Sequence, residues 1–394
     1  MATPVFAVQY LETLPTGITS IAASRRLCEA FKHLPISMVL LGWELPPKFE
    51  ETVAEETVRQ GAQLYRWLPW LTGDARTDLP SEWAVVGSDG APISGHNDKP
   101  AVTFVCPNRS GVADFLMERL EGIAARGLFT GVFLDRIRFP SPLDNPSARL
   151  GCFCRHCTRL AADGNLDLEP VRRFLQSAPS DKESARLLVR GLFGQFNSPG
   201  SSLEAFLDFR AHSITRTIDA ANSQADSSGL SLALDCFSPT LTHMVGQDLQ
   251  SLESVCDWIK LMIYPRVFAP AGLPFELLGL ATWLIRAGWK EFEAKDILAE
   301  ATGLTLPENL TALRHAGFES GIIAHEIEHG RTLAVINLLA GIPLIQMKIV
   351  HESTPEQILA DINAARAADG LVISWDLWHT PLEYLDTIRT SWEL

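Results

Sequence analysis

Gly131-Val-Phe-Leu-Asp-Arg-Ile-Arg-Phe-Pro140 runs from a glycine through branched and aromatic residues to an acid and two arginines, where a proline stops it. Such a run reads as a buried strand that delivers a carboxylate to an open end. The pattern recurs in Leu230-Ser-Leu-Ala-Leu-Asp-Cys-Phe-Ser-Pro239 and Gly370-Leu-Val-Ile-Ser-Trp-Asp-Leu-Trp378, each with an aspartate after a mostly apolar stretch. Further runs of this kind occupy residues 5–10, 37–43, 63–70, 258–264 and 342–350, which with 131–139, 230–237 and 370–377 make eight. Helical patterns fall between most of them, at 111–125, 203–223, 249–255, 276–286 and 355–368, the last opened by Ser353-Thr-Pro-Glu, which supplies a cap and a first-turn proline. Alternating strands and helices imply parallel strands joined by crossovers. Eight of them predict an α/β chain folded as a (β/α)8 TIM barrel, whose catalytic groups sit at the C-terminal strand ends. No Gly-x-Gly-x-x-Gly turn follows the first run, which argues against an open dinucleotide-binding sheet.

Two stretches exceed an ordinary connection. Residues 141–202, rich in turn signals and short helical pieces, are expected to form a lid or small subdomain inserted after the fourth strand. Residues 265–340 carry several helical segments, including Gly321-Ile-Ile-Ala-His-Glu-Ile-Glu-His-Gly330, whose helix is expected to continue to residue 339. Both should overhang the C-terminal face. No linker or repeat divides the rest, so residues 1–394 are expected to form a single barrel.

At 394 residues, 46% hydrophobic and 20% charged, the chain has the composition of a globular protein with ample core. The net charge of −14 and the lack of any Lys/Arg block exclude the electrostatic footprint of a nucleic-acid binder. The first ten residues go straight into a strand-like run without a basic segment or long apolar region. The apolar stretch 333–345 is broken by Asn337, Gly341 and Pro343 and is too short to span a bilayer. A cytoplasmic protein without a membrane partner is expected, and a homo-oligomer is left open.

Alternation turns Phe133, Asp135 and Ile137 to one side of their strand. If that side is the lumen, Asp135, Asp235 and Asp376 meet in one pocket. Glycosidic cleavage needs one carboxyl as proton donor and another as nucleophile or base, and Asp135 and Asp235 meet that need, with Asp376 to position substrate or tune the pair. The blander role for any one of them is to cap a loop or pair with an arginine. Residues suited to a ring-shaped polar ligand surround them: Glu44 after the second strand, Trp67 and Trp70 on the third, Arg138 beside Asp135, Tyr264 on the sixth, Gln346 and Lys348 on the seventh, and Trp375 and Trp378 on the eighth. Aromatic faces cover sugar C–H surfaces while charges and amides take hydroxyls, although tryptophans of this kind also serve as core.

These residues carry a family resemblance. The 131–140 stretch, Cys152-Phe-Cys-Arg-His-Cys157, Asp235-Cys-Phe-Ser-Pro, Val245-Gly-Gln-Asp and Ser374-Trp-Asp resemble, in order from about residue 100 to 378, a group of largely uncharacterised glycoside-hydrolase-like TIM barrels. That group is distantly similar to the α-amylase and α-galactosidase type. The resemblance implies a carbohydrate substrate and gives Asp135, at the end of strand four, the nucleophile's place. Where α-amylase-like barrels use a Glu after strand five this chain has Asp235, and where α-galactosidase-like ones use an Asp after strand six it has Tyr264-Pro-Arg. A catalytically inert carbohydrate-binding barrel is the alternative.

Cys152, Cys154 and Cys157 lie within six residues, which suggests three thiolate ligands to a structural Zn²⁺. His156, Cys236 and His212 are the candidates for a fourth. Cys28, Cys106, Cys236 and Cys256 are otherwise scattered through apolar or strand-like surroundings, so a disulfide scaffold is not expected. His325-Glu-Ile-Glu-His329 matches the HExxH pattern of zinc peptidases, a third reading, but no third-ligand motif follows at a characteristic spacing. It is expected to be a solvated helix face.

Overall fold

A computed structural model describes residues 5–13, 15–73, 79–95, 103–143, 145–348 and 350–392. Eight parallel strands close into a barrel in the order β1-β10-β7-β6-β5-β4-β3-β2. They are β1 (Val5–Tyr10), β2 (Met38–Leu41), β3 (Gln63–Pro69), β4 (Gly131–Asp135), β5 (Ser231–Phe237), β6 (Trp258–Met262), β7 (Asn337–Ile342) and β10 (Gly370–Ile373), with β8 (Gln346–Met347) and β9 (His351–Glu352) forming a small antiparallel hairpin outside the barrel. This is the expected (β/α)8 TIM barrel. No helix among the described residues is long and apolar enough to cross a membrane.

Each strand is buried on both faces, as a helix-covered barrel requires. Outward residues such as Val132, Leu134, Leu232 and Leu234 belong to the large core beneath the helices. Inward residues Ala7, Tyr65, Trp67, Phe133, Ala233, Trp258, Leu339 and Val372 form a separate lumenal core. Phe133 stacks on Trp258 at 5.5 Å between ring centroids, and Tyr65 meets Trp258 edge-on at 5.7 Å. This aromatic layer fills the lumen, so the barrel is a packed core and not a pore. One pleat higher, two residues further along each strand, the same face carries Gln9, Asp135, Asp235 and Lys260.

Three boundaries differ from expectation. The fourth strand stops at Asp135 rather than reaching residue 139, because Arg136 takes a left-handed backbone, φ +55°. The helix Gly321–Leu333 ends before residue 339, and the seventh barrel strand is Asn337–Ile342, paired with Trp258–Met262 and Gly370–Ile373. Periodicity alone does not separate helix from strand within a mostly apolar run, which is why the break was misplaced. Residues 343–348 consequently lie beyond the barrel strand, and Gln346 and Lys348 with them.

Between β4 and the long helix Ser202–Ser227, the stretch 141–202 carries helices Pro146–Arg149, Arg155–Asp163, Glu169–Ser177 and Lys182–Leu192. It is packed onto its surroundings: Phe153 stacks on Phe206 at 4.9 Å, and Trp289 Nε1 donates to Lys182 O at 2.9 Å.

Candidate active site at the mouth of the barrel

A cavity of about 300 Å³ opens at the C-terminal end of the strands, above the aromatic layer. Asp135, Asp235, Arg138, Tyr264 and Trp375 line it, as do Gln9, Glu12, Trp67, Arg136, Arg149 and Lys260. β4 and β5 are adjacent, with Leu134 opposite Leu234. The next residue on each strand is an aspartate turned inward, so two carboxylates stand side by side.

They differ in surroundings. Asp135 accepts hydrogen bonds at both oxygens, from Arg136 N at 2.6 Å and from Trp67 Nε1 at 3.3 Å. The left-handed turn at Arg136 aims that N–H back at the carboxylate, and the Arg136 side chain is tied to Thr72 Oγ1 at 3.0 Å and Glu12 at 3.4 Å. A non-glycine residue held there carries roughly 1–2 kcal/mol of strain, and such strain concentrates at functional sites. Trp375, also on the cavity wall, has φ +72°.

Asp235 lies deeper, 2% exposed. One oxygen pairs with Lys260 Nζ at 3.0 Å while Oδ1 has no partner within the protein. Burial drives its carboxyl up to about 7 although Lys260 opposes the shift, and neighbouring Asp135 adds to it. Lys260, fully buried in mid-strand, also donates to Gln9 Oε1 at 2.8 Å. Burial works against its charge, but Asp235 and Tyr264 outweigh that and hold its pKa above the ordinary value. Gly341 on β7 leaves the room: a Cβ there would lie 2.4 Å from Lys260 Cε.

The remaining sequence candidates fall elsewhere. Asp376 caps the short helix Leu377–His379, and its Oδ1 accepts from Leu11 N at 3.0 Å and Trp378 N at 2.9 Å. It ties the end of β1 to the eighth strand's loop and does not line the cavity. Trp70 is fully buried core. Glu44 is buried after β2 and is not part of the cavity wall. Gln346 donates to Ser353 O and Tyr384 Oη in the hairpin region, and Lys348 is exposed. Sequence reasoning missed Lys260 and Gln9, whose signal was a polar residue in the middle of an otherwise apolar strand.

Cys152, Cys154 and Cys157 do converge, and the fourth candidate ligand beside them is Cys106, not His156, His212 or Cys236. All four are buried with Sγ atoms within 4.8 Å of one another, and Cys106 lies 3.3 Å from Cys157 and 3.7 Å from Cys154. Sulfurs around tetrahedral Zn²⁺ at about 2.3 Å stand roughly 3.8 Å apart, so the donor set fits. Arg210, fully buried with Nη2 unpartnered, supplies a positive charge beside Cys152. Chain closure brings Cys106 in from the loop before helix Ser110–Ala124, and that distant partner is why spacing did not reveal it.

The HExxH tract gives no metal site. Glu326 is buried and takes Ser238 Oγ at 2.5 Å, Thr240 N at 3.0 Å and Thr240 Oγ1 at 2.6 Å, serving the start of helix Pro239–Val245, while His325 faces solvent.

No family model and no curated protein matches the chain. Solved structures do share its fold. A β-galactosidase from the psychrophilic Marinomonas ef1 superposes with a TM-score of 0.57 at 11% identity over 99% of this chain and 59% of its own. Gan42B, a GH42 β-galactosidase, gives 0.56 at 11% identity over 98% of this chain and 56% of its own. A class V chitinase from Pseudomonas fluorescens Pf-5 gives 0.49 at 11% identity, covering 99% and 100%. The chain thus shares the barrel fold of the two β-galactosidases, and it spans under three fifths of their length.

Proposed function

We propose that this chain is a glycoside hydrolase in which Asp235 is the general acid and Asp135 the nucleophile or water-activating base. The observation that carries the reading is the pair of inward carboxylates on adjacent strand ends, one deep and proton-holding, the other accepting hydrogen bonds at both oxygens. Two carboxyls with divergent environments are the arrangement that divides acid from base. Asp235 holds a proton near neutral pH and presents it from Oδ1, while Lys260 fixes the other oxygen. Asp135 is oriented by Trp67 and Arg136. Trp375 and Tyr264, 6.1 Å apart between ring centroids, form an aromatic wall for a sugar ring.

The same reading gives the four cysteines a structural Zn²⁺, which fastens stretch 141–202 to the loop before helix Ser110–Ala124. A site closed by four thiolates leaves no open coordination position for catalysis.

Screening aryl glycosides of varied sugar and anomer tests the main reading. Asp135→Asn and Asp235→Asn should each lower kcat/KM on a confirmed substrate by about 10²–10⁴-fold, the range of acid–base contributions. Parent-level rates in both variants would refute it. A second reading, a non-catalytic carbohydrate-binding barrel, is favoured by the Asp235–Lys260 ion pair, since buried pairs also serve structure alone. It predicts sugar binding by calorimetry with no hydrolysis across the whole panel.

A further inference from the structure

Among the buried guanidinium groups outside this cavity, Arg66 is paired with Glu50 at 2.8 Å and Arg266 with Asp361, while Arg210 donates to the carbonyls of Gly151 and Met244 beside the cysteine cluster. Arg138 is different. It is 9% exposed and sandwiched between Phe104 and Phe237, its Cζ 4.5 Å from each ring centroid. Nη1 donates to Phe139 O at 3.1 Å, and among the described residues no carboxylate lies within ion-pair distance. Glu276 and Asp135 act on it only at longer range, and Glu276 is already engaged by Ser141 Oγ and Ala271 N. Arg138 and both its phenyl neighbours line the cavity. On the same wall, Arg149 donates to the carbonyls of Ser141 and Ser94 at 3.3 and 3.5 Å and likewise has no acid partner among the described residues.

A desolvated guanidinium without an anion is costly, and a partner that brings one recovers that cost. The phenyl rings hold the Arg138 plane fixed, and a fixed planar fork matches a planar carboxylate through two parallel hydrogen bonds. Resting on the reading of this cavity as a sugar site, we infer that its ligand is an acidic sugar, a uronic-acid unit whose carboxylate is received by Arg138 with Arg149 alongside. A neutral sugar leaves both guanidinium groups uncompensated. The protein's net charge of −14 repels acidic glycans at long range, so recognition has to come from these local cations.

Calorimetric titration at low ionic strength tests this with glucuronate, galacturonate and mannuronate, their neutral parent sugars, and glucose 6-phosphate. At least one uronate should bind about tenfold or more tightly than its neutral parent, the scale of a charge-assisted contact. Arg138→Met should abolish that preference, Arg138→Lys should restore only part of it, and Arg149→Met should reduce it. Each variant is checked for an unchanged melting profile, and Arg149→Met carries the test if Arg138→Met unfolds. Equal affinity for uronates and neutral parents, or no uronate binding at all, overturns the inference. Tighter binding of the sugar phosphate than of any uronate overturns the carboxylate assignment. Because binding is read directly, uronate binding without hydrolysis of any glycoside removes the hydrolase reading alone. Hydrolysis of neutral glycosides without uronate preference removes this inference alone.

Discussion

Asp235 and Asp376 look alike in the sequence, each an aspartate after an apolar run, and both are raised by burial to about 7. What they touch separates them. Asp376 gives Oδ1 to two backbone N–H groups, and an asparagine oxygen can take the same bonds, so Asp376→Asn should leave kcat/KM within about threefold of the parent. A loss comparable to that of Asp235→Asn would return Asp376 to the reacting centre. For Asp235, the acid must be protonated, so kcat/KM should fall as pH rises through about 7. Lys260 lowers the Asp235 pKa, and its removal must therefore raise it. In Lys260→Met the alkaline limb should move to higher pH, and a limb that stays or moves down would contradict the ion pair's role. Both aspartates were visible as strand-end acids. Their different roles were not, because a backbone N–H partner 365 residues away, that of Leu11, leaves no trace in local pattern.

At the scale of elements, the run 131–139 announced the fold but concealed its own end. The left-handed turn at Arg136 is carried by a residue type that does not advertise such a conformation, whereas a glycine would have. The seventh strand was misplaced because residues 333–345 are apolar but for Asn337, so periodicity does not mark where the helix ends and the strand begins, and the error carried Gln346 and Lys348 into a site they do not reach. Its correct placement puts Gly341 against Lys260, and a methyl group there has no room. Gly341→Ala should displace the lysine and reproduce the alkaline shift of Lys260→Met; an unchanged pH profile would show that the lysine's position is immaterial. The cysteine cluster was three-quarters legible. Metal analysis should find about one Zn²⁺ per chain, lost in Cys106→Ala as in Cys154→Ala and retained in His156→Ala. Retention in Cys106→Ala would contradict the four-sulfur site.

For the whole molecule, eight strand patterns and their order pointed to the barrel, because alternation with helices implies a parallel sheet covered on both faces and eight such strands are the number that closes a TIM barrel. The cavity's cations were harder to foresee: Arg138 and Arg149 lie on a wall that exists only once the loops fold over the mouth. The buried acids also bear on global stability. Asp235 and Asp376 hold protons up to about pH 7 in the fold that the unfolded chain releases near its ordinary carboxylate value of about 4. Their contribution is therefore present below about pH 4 and lost as pH rises to 7, in the same direction as the self-repulsion of a −14 chain. Tm should fall between pH 5 and pH 7.5, less steeply in Asp376→Asn than in the parent, and equal slopes would refute that share.

The leaving-group dependence of Asp235→Asn tests the central claim most directly. On matched glycosides of a confirmed substrate sugar, the variant should lose about 10²–10⁴-fold in rate where the departing group is a poor one that needs protonation, and far less with dinitrophenolate, which needs none. Equal losses on both, or no loss on either, would contradict Asp235 as the proton donor and with it the proposed mechanism.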